Sequence, residues 1–279
     1  MSELRQKYPL KELLKLSKLP RSTYYYYRHH KGEGKYKLEK QEIQEILNLF
    51  ELNKQRYGYR RITALLRQKG IVINHKTVLK LMKSLNLKGK HRKSKYKSYK
   101  GEVGNIAPNI LRRDFNATKP YEKITTDVTE FLVCNEKVYL SPIMDLYNRE
   151  IISYSISKNP NFWQTREMLS GLFAKMPQEA TPILHSDQGW QYQMKEYQHL
   201  LAVHNITQSM SRKGNCLDNS AMENFFGRLK VEMFYGEKFS SVDDFITKLH
   251  DYIYYYNNER ISLKLKGMSP VQYRTHSQF

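Results

Sequence analysis

Cysteine is nearly absent from this chain: Cys134 and Cys216 are the two in 279 residues. Two thiols cannot build a disulfide framework, and they read as free thiols of a reducing cytoplasm. His29 and His30 have no cysteine near them, so no zinc module of the His/Cys kind is expected. Long apolar runs are missing as well. None approaches the roughly 20 residues that cross a bilayer, and the N-terminus has no secretory h-region, so no membrane partner is expected.

Acidic residues are scarce in the first third. Residues 1–100 hold 7 Asp+Glu against 27 Lys+Arg, whereas residues 101–279 hold 20 of each, so the whole net charge of +20 sits at the front. That asymmetry predicts a nucleic-acid-binding front end joined to a catalytic back end, with a solvated basic arm as the plainer reading of part of it. Residues 1–40 form a short helical region with a degenerate helix-turn-helix, a helix over 10–16 followed by a Pro20–Thr23 turn and cap into YYYYR. The better helix-turn-helix lies in 41–87. After a helix over 38–52 comes a second over 60–69, with Ile62, Leu65 and Leu66 inward and Gly70 ending it. Asn74 caps the next, which buries Val78, Leu79, Leu81 and Met82 and exposes His75, Lys76, Lys80 and Lys83. Helix, short turn and basic helix is the layout that enters a major groove, so these four, with Arg60 and Arg61, are expected DNA contacts. Residues 88–118 read as a basic linker whose Lys90, Arg92, Lys93 and Lys95 track phosphates.

Beyond it, strands are expected over 124–133, 137–146 and 150–157, then a helix (162–176), a strand (182–186), a helix (194–205), a strand (206–210) and a helix from 219. Three strands with short connections suggest an antiparallel meander, and the later ones parallel additions to the same sheet. Asp127 falls in the first strand, Asp187 at the tip of the fourth, and Glu223 in the first turns of the helix, with 35 residues between the last two. Singly each acid has a bland reading: a wet sheet face, a turn, and a Ser220-Ala-Met-Glu223 capping box. Converging, they are how proteins hold magnesium or manganese. Two such ions about 3.5–4 Å apart serve phosphoryl transfer. Seven helical steps place Lys230 within roughly 20° of Glu223, with Asn219 one turn earlier, so acid and cation share a face suited to a metal-bound phosphodiester. Arg212 and Lys213 lie in the loop that must border such a site, and with Asn219 complete the expected DNA contacts; glycine and short polar residues argue that this loop is mobile without DNA.

The chain resembles the second-frame product (OrfB) of bacterial insertion-sequence transposases of the "IS three" family, which have an integrase-type DDE core. The matching text is RYGYRRI (56–62), PNILRRDF (108–115), TDVTEF (126–131), YLSPIMDLYNREIISYSIS (139–157), HSDQGWQY (185–192), SMSRKGNCLDNSAMENFFGRLKVE (209–232) and YYNNERISLKLKGMSPVQYR (255–274). The resemblance implies an α/β fold: a ribonuclease-H-like mixed-sheet catalytic core over 119–234, preceded by the all-α helix-turn-helix region and followed by a helical extension over 235–279. In that fold the first and fourth strands are neighbours, which brings Asp127 beside Asp187. It also matches Asp145 as a non-catalytic position. The chain departs from the family at Ile124, where a Trp is usual, and at Trp190, which is bulkier than usual. Neither removes a ligand.

Implied in turn are a transposase that cleaves DNA and transfers a 3′-hydroxyl, catalytic Asp127, Asp187, Glu223 and Lys230, two Mg2+ or Mn2+ ions on the three acids, and a homo-oligomer on DNA in a bacterial, nucleoid-associated setting. A first-frame (OrfA) product, which in this family is often fused to this one by frameshifting, is a further expected partner. The competing hypothesis is a DNA-binding regulator whose core is structural. The tail helix is expected over 241–257, burying Phe245, Ile246, Leu249, Ile253 and Tyr256, with Arg260, Lys264 and Lys266 as further cations near DNA.

Overall fold

The computed structural model describes residues 6–29, 40–90, 106–212 and 216–276. Its front part is helical: α1 (Leu10–Leu16), α2 (Arg21–His29), α3 (Lys40–Leu52), α4 (Tyr59–Gln68) and α5 (His75–Ser84). Gly70, at φ +79°, takes the left-handed turn that ends α4 at no Cβ cost. Asn74 caps α5 by accepting the Lys76 N–H. Ile46, Phe50, Tyr57, Ile62, Leu66, Val78 and Met82 form one apolar cluster holding α3, α4 and α5 together. Leu65, Leu79 and Leu81 are only half-buried, and Thr63 and Thr77 take the inner places instead.

The back part is a mixed sheet between two helical layers. Its strands are β1 (Lys123–Thr126), β2 (Thr129–Val133), β3 (Glu136–Asp145), β4 (Ile151–Ser157), β5 (Ile183–Ser186) and β6 (Thr207–Met210). The single strand expected over 124–133 is broken into β1 and β2. Both pair antiparallel with β3 in one continuous register, in which Asp127 stands opposite Pro142. Proline has no N–H to give, so the ladder lapses at Asp127–Val128. Cys134 and Asn135, both at positive φ, make the tight hairpin from β2 to β3. On its other edge β3 carries β4 antiparallel; β1 pairs parallel with β5, and β5 parallel with β6. This is the meander with parallel additions, in a ribonuclease-H-like, integrase-type mixed sheet.

One face of the sheet packs Phe131, Val138, Leu140 and Ile151 against α8 (Ser220–Leu229) and α9 (Val242–Asn258). The other packs Ile124, Ile143, Ile152 and Leu184 against α6 (Phe162–Phe173) and α7 (Lys195–Val203). Alternation along the strands assigns the two faces. α9 therefore forms half of one core layer, as the buried face expected of the tail helix implies. Asn257 completes the role by exchanging both amide hydrogen bonds with the Ile151 backbone, which closes the open edge of β4.

The expected linker is packed in its second half, and the tail packs on the core as its buried apolar positions predict. Residues 106–118 are packed: Leu111 is buried, Pro108 O accepts the Met210 N–H, and Ile110 N–H donates to Ser209 Oγ, so this stretch lies along the edge of β6. Residues after α9 turn back through a Ser262–Met268 bridge into α10 (Pro270–His276). There Gln68 of α4 donates to Gly267 O, and Tyr57 OH accepts the Ile261 N–H, so the helical module docks on the core.

Candidate active site

Where β1 lapses, Asp127 is left half-buried at the strand end, and its Oδ1 accepts the Val128 N–H at 2.7 Å. The parallel register Thr125↔His185, continued two residues, places Asp187 level with it just beyond β5. Asp187 Oδ1 accepts the Gly189 N–H at 2.8 Å, which fixes the carboxyl in a tight turn. The expected neighbourhood of the two aspartates thus follows from strand order.

Glu223 comes from the first turn of α8. The helix starts at Ser220 with Asn219 at the N-cap, so Ser220 is not the cap and the capping box does not form. Nor does Asn219 cap with its side chain. Its amide oxygen accepts from Thr125 Oγ1 at 2.6 Å, and its amide nitrogen donates to Thr126 O at 3.1 Å. Asn219 was expected to touch DNA; at 4% exposure, with both ends of its amide bound to β1, it faces the protein instead. The reason is geometric, because the helix must be fastened to the strand that ends in Asp127. Lys230 follows α8 at the start of a π-helical turn, Lys230–Phe234, with its Nζ 5.2 Å from the centre of the Phe131 ring.

The electrostatics tie these four groups together. Burial, then the charge of Asp187, and to a lesser degree that of Glu223, push the Asp127 carboxyl well above the usual range; the Val128 N–H and Lys230 pull the other way. Burial raises Asp187 too, against its Gly189 hydrogen bond. Burial lowers Lys230, while Glu130 and then Asp127 raise it. Among the described residues no three His, Cys, Asp or Glu side chains are already drawn together tightly enough to hold a metal ion. The donor set nevertheless fits a hard divalent cation: it is all carboxylate oxygen, and the mutual repulsion that raises Asp127 is what such an ion relieves.

Asp145 is a different kind of acid. Both of its oxygens accept backbone N–H groups, from Tyr121 at 2.9 Å and Tyr147 at 2.8 Å, and burial pushes it up to about 6. It ties the start of β1 to the β3–β4 turn, as a structural carboxylate does. His185, buried between Ser209 Oγ and Ser211 Oγ, is lowered to about 4 chiefly by burial and fills the floor behind Asp187 as a neutral ring.

The expected DNA contacts divide. Arg60, His75, Lys76, Lys80 and Lys83 are exposed on α4 and α5, and the His75 ring stacks on Tyr59. Arg61 is turned inward over the Tyr57 ring, 3.7 Å from Glu232, because the helical module docks there. Lys90 pairs with Glu237 at 3.1 Å. Arg212 binds Asp218 at 3.0 Å, and Arg113 binds the same carboxylate at 2.8 Å, so the base of the loop is tied down. Arg92, Lys93, Lys95 and Lys213 lie outside the described residues, and so does the loop centre for which mobility is expected. Arg260, read from the sequence as a surface cation, is buried against Glu232 with contacts of 2.8 and 2.6 Å. Sequence reasoning missed Glu232, Asp218 and Arg113; only their partners distinguish them from solvated charges.

A basic helix-turn-helix module docked on a mixed-sheet core with acids at adjacent strand ends defines an integrase-type polynucleotidyl transferase. Residues 37–95 match the family described as HTH-like domain, and residues 117–216 and 223–277 match two families described as integrase core domain. The chain is 51% identical over 278 residues to the putative transposase InsK for insertion sequence element IS150 of Escherichia coli, covering 99% of this chain and 97% of that one. It is 34% identical over 230 residues to the transposase InsF for insertion sequence IS3A of Escherichia coli, covering 82% and 80%. Among solved structures, a chain of the simian T-cell lymphotropic virus intasome in complex with a PP2A regulatory subunit aligns with a TM-score of 0.47 at 14% identity, covering 82% of this chain and 74% of that one. The chain belongs to the IS3 family of insertion-sequence transposases, and its function is DNA transposition.

Proposed function

We propose that the protein performs the DNA cleavage and 3′-hydroxyl strand transfer of transposition at a DDE site made of Asp127, Asp187 and Glu223, with Lys230 beside it. The observation that carries this reading is geometric: the parallel pairing of β1 and β5 sets Asp187 level with Asp127, and Asn219 fastens the helix that bears Glu223 to the same strand end. The three carboxylates would hold Mg2+ or Mn2+, two ions per site, and when bound these supply charge neutralisation and an activated oxygen nucleophile.

The chain's own contribution is positioning. The Val128 and Gly189 N–H groups orient the two aspartates, and Asn219 fixes the helix that offers Glu223. Lys230, in the turn that follows this helix, would meet a phosphate oxygen and hold no metal. The exposed cations of α4 and α5 supply DNA affinity to the element's terminal repeats. Assembly as a homo-oligomer on DNA, with a first-frame product as a further partner, belongs to the same reading.

Asp187→Asn keeps the shape and removes one negative charge. Strand transfer by this variant should collapse while binding to the element's ends survives. Near-normal strand transfer would sink the proposal and favour a regulator with a structural core.

A further inference from the structure

The flank of α8 that carries Ser220, Ala221, Asn224 and Arg228 lines a cavity of about 360 Å³. Arg61, Arg113, Arg149, Arg228, Arg260 and Lys264 border it, and no carboxylate among the described residues does. Three of these cations already have a carboxylate partner behind them: Arg113 has Asp218, and Arg61 and Arg260 share Glu232. Arg149, Arg228 and Lys264 have no ion-pair partner among the described residues. They come from three separate places in the chain: the β3–β4 turn, α8, and the segment before α10. A smaller cavity of about 220 Å³ shares Arg61, Asn224, Arg228 and Arg260 with the first and extends the groove along α8.

Gathering unpaired cations in a concavity costs energy unless an anion completes it. The strain is visible at two guanidiniums. Burial lowers Arg149, with Arg228 adding, while Tyr256 and then Asp145 pull the other way; Arg61 is lowered by burial, then Arg260, with Arg228 adding. Neutral donors are present beside the charges: Asn224 and Ser220 of α8, Asn116 and Ser262. Guanidinium groups with amide and hydroxyl donors make a phosphate site, since the planar fork matches phosphate oxygens.

We infer that this groove binds a backbone phosphate of the DNA, as a second anchor between the helix-turn-helix module and the catalytic helix. Its position fits that task. Arg61 belongs to α4 of the helix-turn-helix, while Asn224 is one helical step, about 100°, around α8 from Glu223. The inference rests on the transposase reading and adds a contact surface to it.

Arg228 and Lys264 are exposed, so Arg228→Gln/Lys264→Gln should fold, and its melting temperature checks that it does. DNA affinity is measured by fluorescence anisotropy over a salt series, with the full chain and a duplex carrying the element's terminal repeat. Losing this phosphate contact should weaken binding about tenfold and reduce the salt slope by about 1. The same series is then run with single phosphates replaced by uncharged methylphosphonates. One or two adjacent positions should weaken the wild type but leave the double variant unaffected, and Arg149→Gln should reproduce the effect at those positions. An unchanged slope, or no phosphate position coupled to either variant, overturns the groove while leaving the transposase reading intact. If the wild type fails to bind the duplex at all, the transposase reading itself has failed.

Discussion

Asn219 accepts a hydrogen bond from Thr125 at 2.6 Å and donates one to the Thr126 carbonyl, so a single amide fastens the N-terminus of α8 to the strand end that carries Asp127. The distance between the first and third acids is therefore set by a buried clamp and not by the long segment that separates them in sequence.

Asn219→Ala removes both bonds and leaves Thr125 Oγ1 only the His185 carbonyl to bind, so the tie between helix and strand is lost. Misplacing a reacting group by about 1 Å can cost 10²-fold in rate, so strand transfer should fall by about that factor while affinity for the DNA ends stays within about twofold. Thr125→Val, which loses only the hydroxyl, should show a smaller loss in the same direction. Single-turnover rates beside anisotropy titrations separate the two effects; an equal loss of DNA affinity would contradict the clamp.

Glu232 anchors the interface between the helical module and the core. It accepts from Arg260 at two oxygens and from Tyr252 OH, with Arg61 close by, while its own carbonyl accepts from Arg56. Glu232→Gln leaves the buried Arg260 charge unpaired and should destabilise the protein by about 3–5 kcal/mol. Replacing both, as Glu232→Met/Arg260→Met, should recover much of that loss. Urea unfolding of the singles and the double gives the coupling, and additive effects would show that the pair is not a unit.

Asp145 should write a pH dependence into stability. Its folded pKa, about 6, lies above the ordinary 3.8, so the folded state binds more protons between those values. The contribution is fully present below pH 4 and is lost as pH rises through 6, up to about 3 kcal/mol. Asp145→Asn does not titrate. The stability advantage of the wild type over this variant should therefore shrink between pH 4 and 6.5 and then level off. A constant gap across that range, measured by denaturant unfolding, would contradict the buried, proton-retaining carboxyl.

The exposed face of α5 should account for salt-sensitive binding. Lys76→Gln/Lys83→Gln removes two cations that point away from the protein, and the slope of log affinity against log salt should drop by about 2. Stability should change by no more than about 0.5 kcal/mol, since neither side chain is packed. An unchanged slope would move the DNA interface off this helix.

Much of this protein was legible in its chain, because the relevant signals are local. Charge partition located the basic module, helical periodicity located α3 to α5, and the Asn74 and Gly70 signals gave their boundaries to within a residue or two. Strand-turn patterns placed Asp187 at a strand tip and Asp127 within a strand, which the structure ends just before it. The sequence order of strands and helices limited the sheet to a few topologies, and the adjacent strands then aligned those two acids.

What the tertiary structure alone decided was the fate of individual polar groups. Asn219, Arg61, Arg212 and Arg260 all look like surface contacts in the sequence, yet each is bound inward, by β1, Glu232 or Asp218. Pro142 breaks the first strand from across the sheet, 15 residues away from Asp127 in sequence. A charge or amide has the same local signature whether water or a distant partner satisfies it. Only the folded arrangement reveals the partner, because hydrogen bonds and ion pairs depend on distance in space, whereas periodicity records only distance along the chain.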